Sequence, residues 1–132
     1  MEYKKSIIEN IQTNSLSNLP EDFDNKMIKR IFEFVNYNIS NELLNTNMVA
    51  DQIGMSRTQL WRLFKTKTGK SLKDYIKDIK MQKAATMLMT GKYRISEVSD
   101  YVGFSDPRYF SRIFIKEYGI TPTEYAEKFR KN

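Results

Sequence analysis

Residues 98–125, VSDYVGFSDPRYFSRIFIKEYGITPTEY, decide the fold of this chain. An apolar helical pattern ends at Val102, a turn begins at Gly103, and a new helix begins at Asp106 and Pro107. Asp is a good helix N-cap, and Pro suits the first helical position because its missing N–H has no partner there. Two short helices joined by a glycine turn, the second with a basic outer face, are the pattern of a helix-turn-helix.

The same pattern occurs about fifty residues earlier in the chain. Residues 50–56, ADQIGMS, match residues 99–105, SDYVGFS, and the later positions match after one extra residue in the turn. Self-similarity at a fixed period is typical of a duplicated structural unit, so we expect two such units. The later matched pairs are Leu60 and Phe110, Arg62 and Arg112, Leu63 and Ile113, Phe64 and Phe114, Gly69 and Gly119, and Tyr75 and Tyr125.

The second unit, with GITPTEY at residues 119–125, resembles the signature of the AraC/XylS family of transcription regulators. The resemblance covers roughly residues 47–125. It implies a domain that binds double-stranded DNA, in which one long helix joins two helix-turn-helix units. It also implies transcription regulation, most often activation, with RNA polymerase as a further partner.

Periodic apolar positions and capping residues predict an all-α fold of seven helices, in which one long central helix joins two helix-turn-helix lobes. Residues 1–23 are interpreted as a linker or a short N-terminal helix, and residues 24–132 as the DNA-binding domain. The expected parts of this domain are the first helix-turn-helix at about 47–68, the linker helix at about 72–90 and the second helix-turn-helix at about 96–118.

The first helix is expected at about residues 25–39, with Asp24 as its N-cap and with Met27 and Phe34 on its core face. Four further aromatic side chains at helical core positions are interpreted as structural. They are Tyr75, Tyr101, Phe104 and Tyr125.

The composition excludes several classes of function, because the 132 residues include no His and no Cys. Disulfides, thiol catalysis, the usual zinc sites and His-based acid–base chemistry are therefore not available. We predict no catalytic residue, no metal ligand and no cofactor, and no enzymatic activity. No apolar run reaches the length of a membrane span, and the lack of Cys fits a cytoplasmic protein.

The charge distribution favours a polyanionic partner. The net charge is +6. Between Asp51 and Asp74 the sequence has no acidic residue. A basic stretch on a helical scaffold suits DNA, although a solvated lysine-rich surface would have the same composition. The basic residues in this stretch are Arg57, Arg62, Lys65, Lys67, Lys70 and Lys73.

Burial of Leu60, Leu63 and Phe64 would leave the opposite face of their helix free to enter a major groove. The resemblance implies base contacts by Thr58, Trp61 and Arg62 in the first unit, and by Arg108, Tyr109 and Arg112 in the second. Alternatively, Trp61 is a core residue and the arginines are solvated or paired with acids. Phosphate contacts are expected from Ser56, Arg57, Lys65, Lys67 and Ser111.

One position departs from the repeat: Ile115 stands where the first unit has Lys65. This difference either weakens the expected phosphate contacts of the second unit or buries Ile115 against a partner. The isolated domain is expected to be monomeric and to read two successive major grooves, with a sensor or dimerisation domain upstream in a longer protein. A helical protein-interaction module without specific DNA binding is the alternative function.

Overall fold

The computed structural model describes residues 22–130, and all the regular secondary structure in this range is α-helical. These residues form seven helices, which confirms the predicted all-α class. The predicted N-terminal helix lies outside the described residues, and none of the described helices is long and apolar enough to cross a membrane. The helices are α1 (Phe23–Tyr37), α2 (Thr46–Ile53), α3 (Arg57–Thr68), α4 (Leu72–Met89), α5 (Ile95–Tyr101), α6 (Pro107–Tyr118) and α7 (Pro122–Phe129).

The described residues divide into two compact units. The first unit consists of residues 22–38 and 44–78, and the second of residues 39–43 and 79–130. Helix α4 contributes its first turns to the first unit and the remainder to the second. The pair α2 and α3 therefore belongs to the first unit, and the pair α5 and α6 to the second.

Aromatic side chains fill equivalent places in the two cores. In the first unit the ring centroids of Phe64 and Tyr75 are 5.3 Å apart, and both side chains are fully buried. Their repeat partners in the second unit, Phe114 and Tyr125, have centroids 5.4 Å apart and are also buried. The structural role predicted for the two tyrosines is confirmed, and α3 and α6 are each anchored through their inner face.

Helix α1 begins and ends two residues earlier than predicted, at Phe23 and Tyr37. It begins at Phe23 because Asp22, and not Asp24, caps it: Asp22 Oδ1 accepts a hydrogen bond from the Asn25 N–H at 2.8 Å. Its buried stripe runs through positions 28, 31, 32 and 35, which are spaced by three and four residues. This register buries Phe32 and leaves the predicted core residues Met27 and Phe34 only half-buried.

The core assignment of Tyr101 is wrong. Tyr101, the last residue of α5, is 44% exposed, whereas Val98 and Val102 are fully buried. The ammonium group of Lys83 lies 5.8 Å from the Tyr101 ring centroid, so this ring contacts a cation at the surface.

Candidate nucleic-acid interface

Helix α3 has one buried face and one exposed face. Leu60 and Phe64 anchor the buried face, at 2% and 0% exposure. Trp61 is 57% exposed, so its alternative assignment as a core residue is wrong. The exposed face carries the sequence-predicted side chains Thr58, Trp61, Arg62 and Lys65, spaced by three and four residues.

A capping box fixes the start of α3. Ser56 Oγ accepts a hydrogen bond from the Gln59 N–H at 3.1 Å, and the Gln59 side chain accepts one from the Ser56 N–H at 3.0 Å. Ser56 and the neighbouring Arg57 are both exposed. The hydroxyl proton of Ser56 is not used in the cap, so it remains available to a phosphate oxygen.

A surface depression with a volume of about 670 Å³ lies where the first turns of α2, α3 and α4 meet. First helical turns carry backbone N–H groups without intrahelical partners, and they favour negative charge. Among the described residues, two cations and three hydroxyls line the depression, and none of these lining residues is acidic. These residues are Arg57, Lys73, Thr46, Thr58 and Ser71, with Trp61 at the same depression.

The remaining cations of the basic stretch differ in their surroundings. Lys65 is exposed, and its Nζ donates a hydrogen bond to the Gly69 carbonyl at 3.3 Å, across the end of α3. Lys67 is half-buried. Lys70 forms an ion pair with the buried carboxylate of Asp78, so its charge is neutralised locally. Of the six cations in the basic stretch, Lys70 therefore has a structural role in the first unit.

Helix α6 repeats this two-faced arrangement. Phe110 and Phe114 are fully buried, whereas the side chain of Tyr109 is 47% exposed. The guanidinium carbon of Arg112 lies 5.7 Å from the Tyr109 ring centroid, within the range of a cation–π contact. The predicted residues Arg108 and Arg112 are exposed beside this ring, and Ser111 is half-buried.

The start of α6 is more acidic than the start of α3. Asp106 accepts a hydrogen bond from the Arg108 N–H at 2.9 Å, and this bond lowers the pKa of the Asp106 carboxyl below its usual value. The Arg108 Nε lies 3.5 Å from the same carboxylate. A charged cap thus occupies the place that the neutral Ser56 has in the first unit, and the exposed Ile115 occupies the place of Lys65. The second exposed face is therefore less cationic than the first.

Sequence reasoning missed Thr46, Ser71 and Lys73 as members of the interface region. Of these three residues, only Lys73 belongs to the basic stretch that the sequence shows. No local pattern brings the starts of three helices to one depression, because that arrangement depends on tertiary packing of the first unit.

Comparisons with known proteins bear on this arrangement. A family profile described as a helix-turn-helix domain matches residues 49–128. The chain is 34% identical over 106 residues to histidine kinase P4 of Formosa agariphila, covering 80% of this chain and 8% of that protein. It is 30% identical over 134 residues to the lactose operon transcription activator of Staphylococcus xylosus, covering 100% of this chain and 48% of that protein.

A solved structure agrees with the fold. The transcriptional regulator from Chromobacterium violaceum, described among proteins containing an AraC-type DNA-binding domain, matches with a TM-score of 0.70 and 28% identity. The match covers 78% of this chain and 91% of that one. The chain spans about half the length, or less, of the curated relatives that it matches.

Proposed function

Since the chain belongs to the AraC family of helix-turn-helix domains, we propose that it binds double-stranded DNA sequence-specifically as part of a transcription regulator. One observation carries the proposal. Each unit exposes an aromatic ring and an arginine on the outer face of an otherwise anchored helix: Trp61 with Arg62 on α3, and Tyr109 with Arg112 on α6. A helix fits the major groove, and such side chains suit base edges.

The base contacts follow from side-chain chemistry. Arg62 and Arg112 each present a guanidinium that forms two parallel hydrogen bonds to guanine O6 and N7. Thr58 and the Trp61 ring offer methyl and apolar surface to thymine methyl groups. Arg108 and Tyr109 complete the base-contacting face of α6, and the Arg108 Nε lies 3.5 Å from the Asp106 carboxylate.

The phosphate contacts concentrate on the first unit. Arg57 and Lys73, which line the depression at the starts of α2, α3 and α4, flank a DNA strand whose bases meet α3. Ser56, Lys65 and Lys67 extend this contact along α3, and Ser111 is the corresponding contact of α6. The first unit accordingly supplies most of the sequence-independent affinity, because counterion release follows the number of phosphates contacted.

The proposal also covers the oligomeric state of the chain, its location and its mode of transcription control. The isolated chain is a monomer whose α3 and α6 enter successive major-groove segments, and it acts in the cytoplasm without catalytic activity. Activation through contact with RNA polymerase is favoured over repression, because the Staphylococcus xylosus relative is named as an activator.

The test begins with selection of a cognate duplex from a random library by the wild-type chain, followed by competition binding against random DNA. Trp61 is the only tryptophan of the chain, so its fluorescence reports directly on α3. We expect the selected duplex to shift the Trp61 emission and to bind at least ~10³-fold more tightly than random DNA. Equal binding of all duplexes, or none, would contradict the proposal and favour the protein-interaction alternative.

A further inference from the structure

Lys80 is a buried lysine in the second unit, with only 6% of its surface exposed. Its Nζ donates two hydrogen bonds of 2.9 Å, one to the Ile39 carbonyl and one to the Val102 carbonyl. Val102 is the C-cap of α5, and a cation is favoured there because the last carbonyls of a helix carry partial negative charge. Lys80 thus joins α4 to the end of the first helix of the second helix-turn-helix.

The turn that follows is packed directly against the Lys80 ammonium group. Gly103 has φ +82°, and a Cβ built on it would lie 2.5 Å from Lys80 Nζ. Ser99 holds the far side of the turn, because its Oγ donates to the Phe104 carbonyl at 2.9 Å and its own carbonyl accepts from the Phe104 N–H at 2.9 Å. The turn between α5 and α6 is therefore fixed from two sides.

A line of aromatic contacts leads from this turn to the exposed face of α6. Lys80 Nζ lies 5.6 Å from the Phe104 ring centroid, and the Phe104 and Tyr109 centroids are 5.8 Å apart. Tyr109 in turn lies under the guanidinium of Arg112. Each contact is short enough for the position of one group to restrict the next.

We infer that Lys80 is a positioning residue for Arg112: it fixes the turn at Gly103 and Phe104, and through Phe104 and Tyr109 it sets where Arg112 meets DNA. This inference rests on the proposed function, because it assigns Lys80 a part in base discrimination by α6. Lys80 itself is buried and does not touch DNA.

The first unit is built differently at the matching place. Gly54 has φ +81°, close to the value of Gly103, but a Cβ built on Gly54 would meet no atom of the described residues within 4 Å. The residues that precede Lys80 by the repeat distance are Arg30, which is exposed, and Ile31, which is an apolar core residue. Loss of Lys80 should therefore affect only the half of the DNA site that α6 reads.

The test compares Lys80→Met with Lys83→Met in the full chain. Lys83 lies on the same helix, but it is exposed and contacts the Tyr101 ring. Each variant is measured on the selected duplex and on duplexes with single base changes in either half. We expect Lys80→Met to lower discrimination in the α6 half by roughly fivefold and to leave the α3 half unchanged. Lys83→Met should match wild type in both halves.

A second readout does not depend on DNA. We expect the Tyr109 ring to shift the Nε–H resonance of Arg112, because the guanidinium carbon lies 5.7 Å from the ring centroid. Lys80→Met should move this resonance toward the value of a free arginine while the helical circular dichroism is retained. Should Lys80→Met fail to fold, Phe104→Leu breaks the same line of contacts and should move the same resonance and weaken the same half-site. The inference is overturned if a folded variant of either kind keeps the wild-type resonance and discrimination, even where wild-type DNA binding is specific.

Discussion

The guanidinium carbon of Arg112 lies 5.7 Å from the ring centroid of Tyr109 on the exposed face of α6. The first unit presents the same two kinds of side chain on α3, where Trp61 is next to Arg62 in sequence. Arg62 and Arg112 occupy matching positions of the repeat, each two residues after a buried anchor, Leu60 or Phe110. This equivalent placement supports the proposal that both arginines contact bases.

Replacement of either arginine should weaken specific binding and relax base choice in one half of the site. We expect Arg62→Ala and Arg112→Ala each to cost ~1–3 kcal/mol of binding free energy, because a bidentate contact to guanine is lost. Competition binding to duplexes with single base changes measures this effect. Arg30→Ala, which changes an exposed arginine on α1, is the matched control and should bind like wild type. Normal folding with wild-type discrimination in both arginine variants would exclude the groove assignment.

Lysines proposed to touch phosphates should behave differently from these arginines. Lys65→Ala, Lys67→Ala and Lys73→Ala should weaken binding to cognate and random duplexes by similar factors, and each should make the salt slope shallower by about one unit. Titrations over a range of salt concentrations measure both effects. Lys77→Ala is the control, because Lys77 pairs with Asp74 at 3.9 Å. A loss confined to the cognate duplex, at an unchanged salt slope, would contradict the phosphate assignment.

The start of a helix is predicted correctly where one capping interaction between neighbouring residues sets it. Asp106 accepts a hydrogen bond from a backbone N–H group in the first turn, and α6 begins at Pro107, where the predicted cap places it. The start of α1 was misplaced because Asp22 and Asp24 are both plausible caps, and the local pattern does not rank them. Tertiary packing of Phe32 against Phe64, at a centroid distance of 6.0 Å, fixes the register that the structure adopts.

The site was only partly predictable for a related reason. Helical spacing around buried Leu60 and Phe110 correctly predicts the exposure of most proposed contact residues on α3 and α6, whereas Lys67 and Ser111 are half-buried. Lys80 was not singled out, because a lysine on an amphipathic helix is ordinarily a surface residue. Its burial depends on the carbonyls of Ile39 and Val102, which lie 41 and 22 residues away in sequence. Contacts at such separations leave no periodic signal around Lys80.

The two turn glycines provide a matched pair of stability measurements. Gly54→Ala and Gly103→Ala both place a Cβ at positive φ, which costs ~1–2 kcal/mol. Only Gly103→Ala also brings that Cβ to 2.5 Å from Lys80 Nζ and to 3.2 Å from the Asn41 carbonyl. We expect Gly103→Ala to lower the free energy of unfolding by at least ~1 kcal/mol more than Gly54→Ala, measured by urea denaturation. If both variants lose the same free energy of unfolding, the turn at Gly103 must shift to accommodate the added methyl group.

The burial of Lys80 should also make the free energy of unfolding depend on pH. Burial lowers the pKa of Lys80 to about 8, below its value in the unfolded chain. Between pH 8 and about 10.4 the unfolded chain binds one more proton at Lys80 than the folded chain does, so the free energy of unfolding rises with pH. This contribution is fully present above the unfolded pKa and is lost as pH falls toward 8.

Urea denaturation of wild type and Lys80→Met at several pH values isolates this contribution, because the other titrating groups cancel in the difference. We expect the stability of wild type relative to Lys80→Met to increase by up to ~3 kcal/mol between pH 8 and 10.5. A difference that stays constant over this range would mean that Lys80 keeps an ordinary pKa in the folded chain.

Hydroxyl-radical footprinting of the isolated chain on its selected duplex tests the central claim most directly. If α3 and α6 of one molecule enter successive major-groove segments, two protected patches should appear on one face of the duplex, about one helical turn or ~34 Å apart. The site should be non-palindromic, and Arg112→Ala should weaken only the patch of the second unit. A single patch, or a symmetric footprint that requires two protein molecules, would contradict reading by two units of one chain.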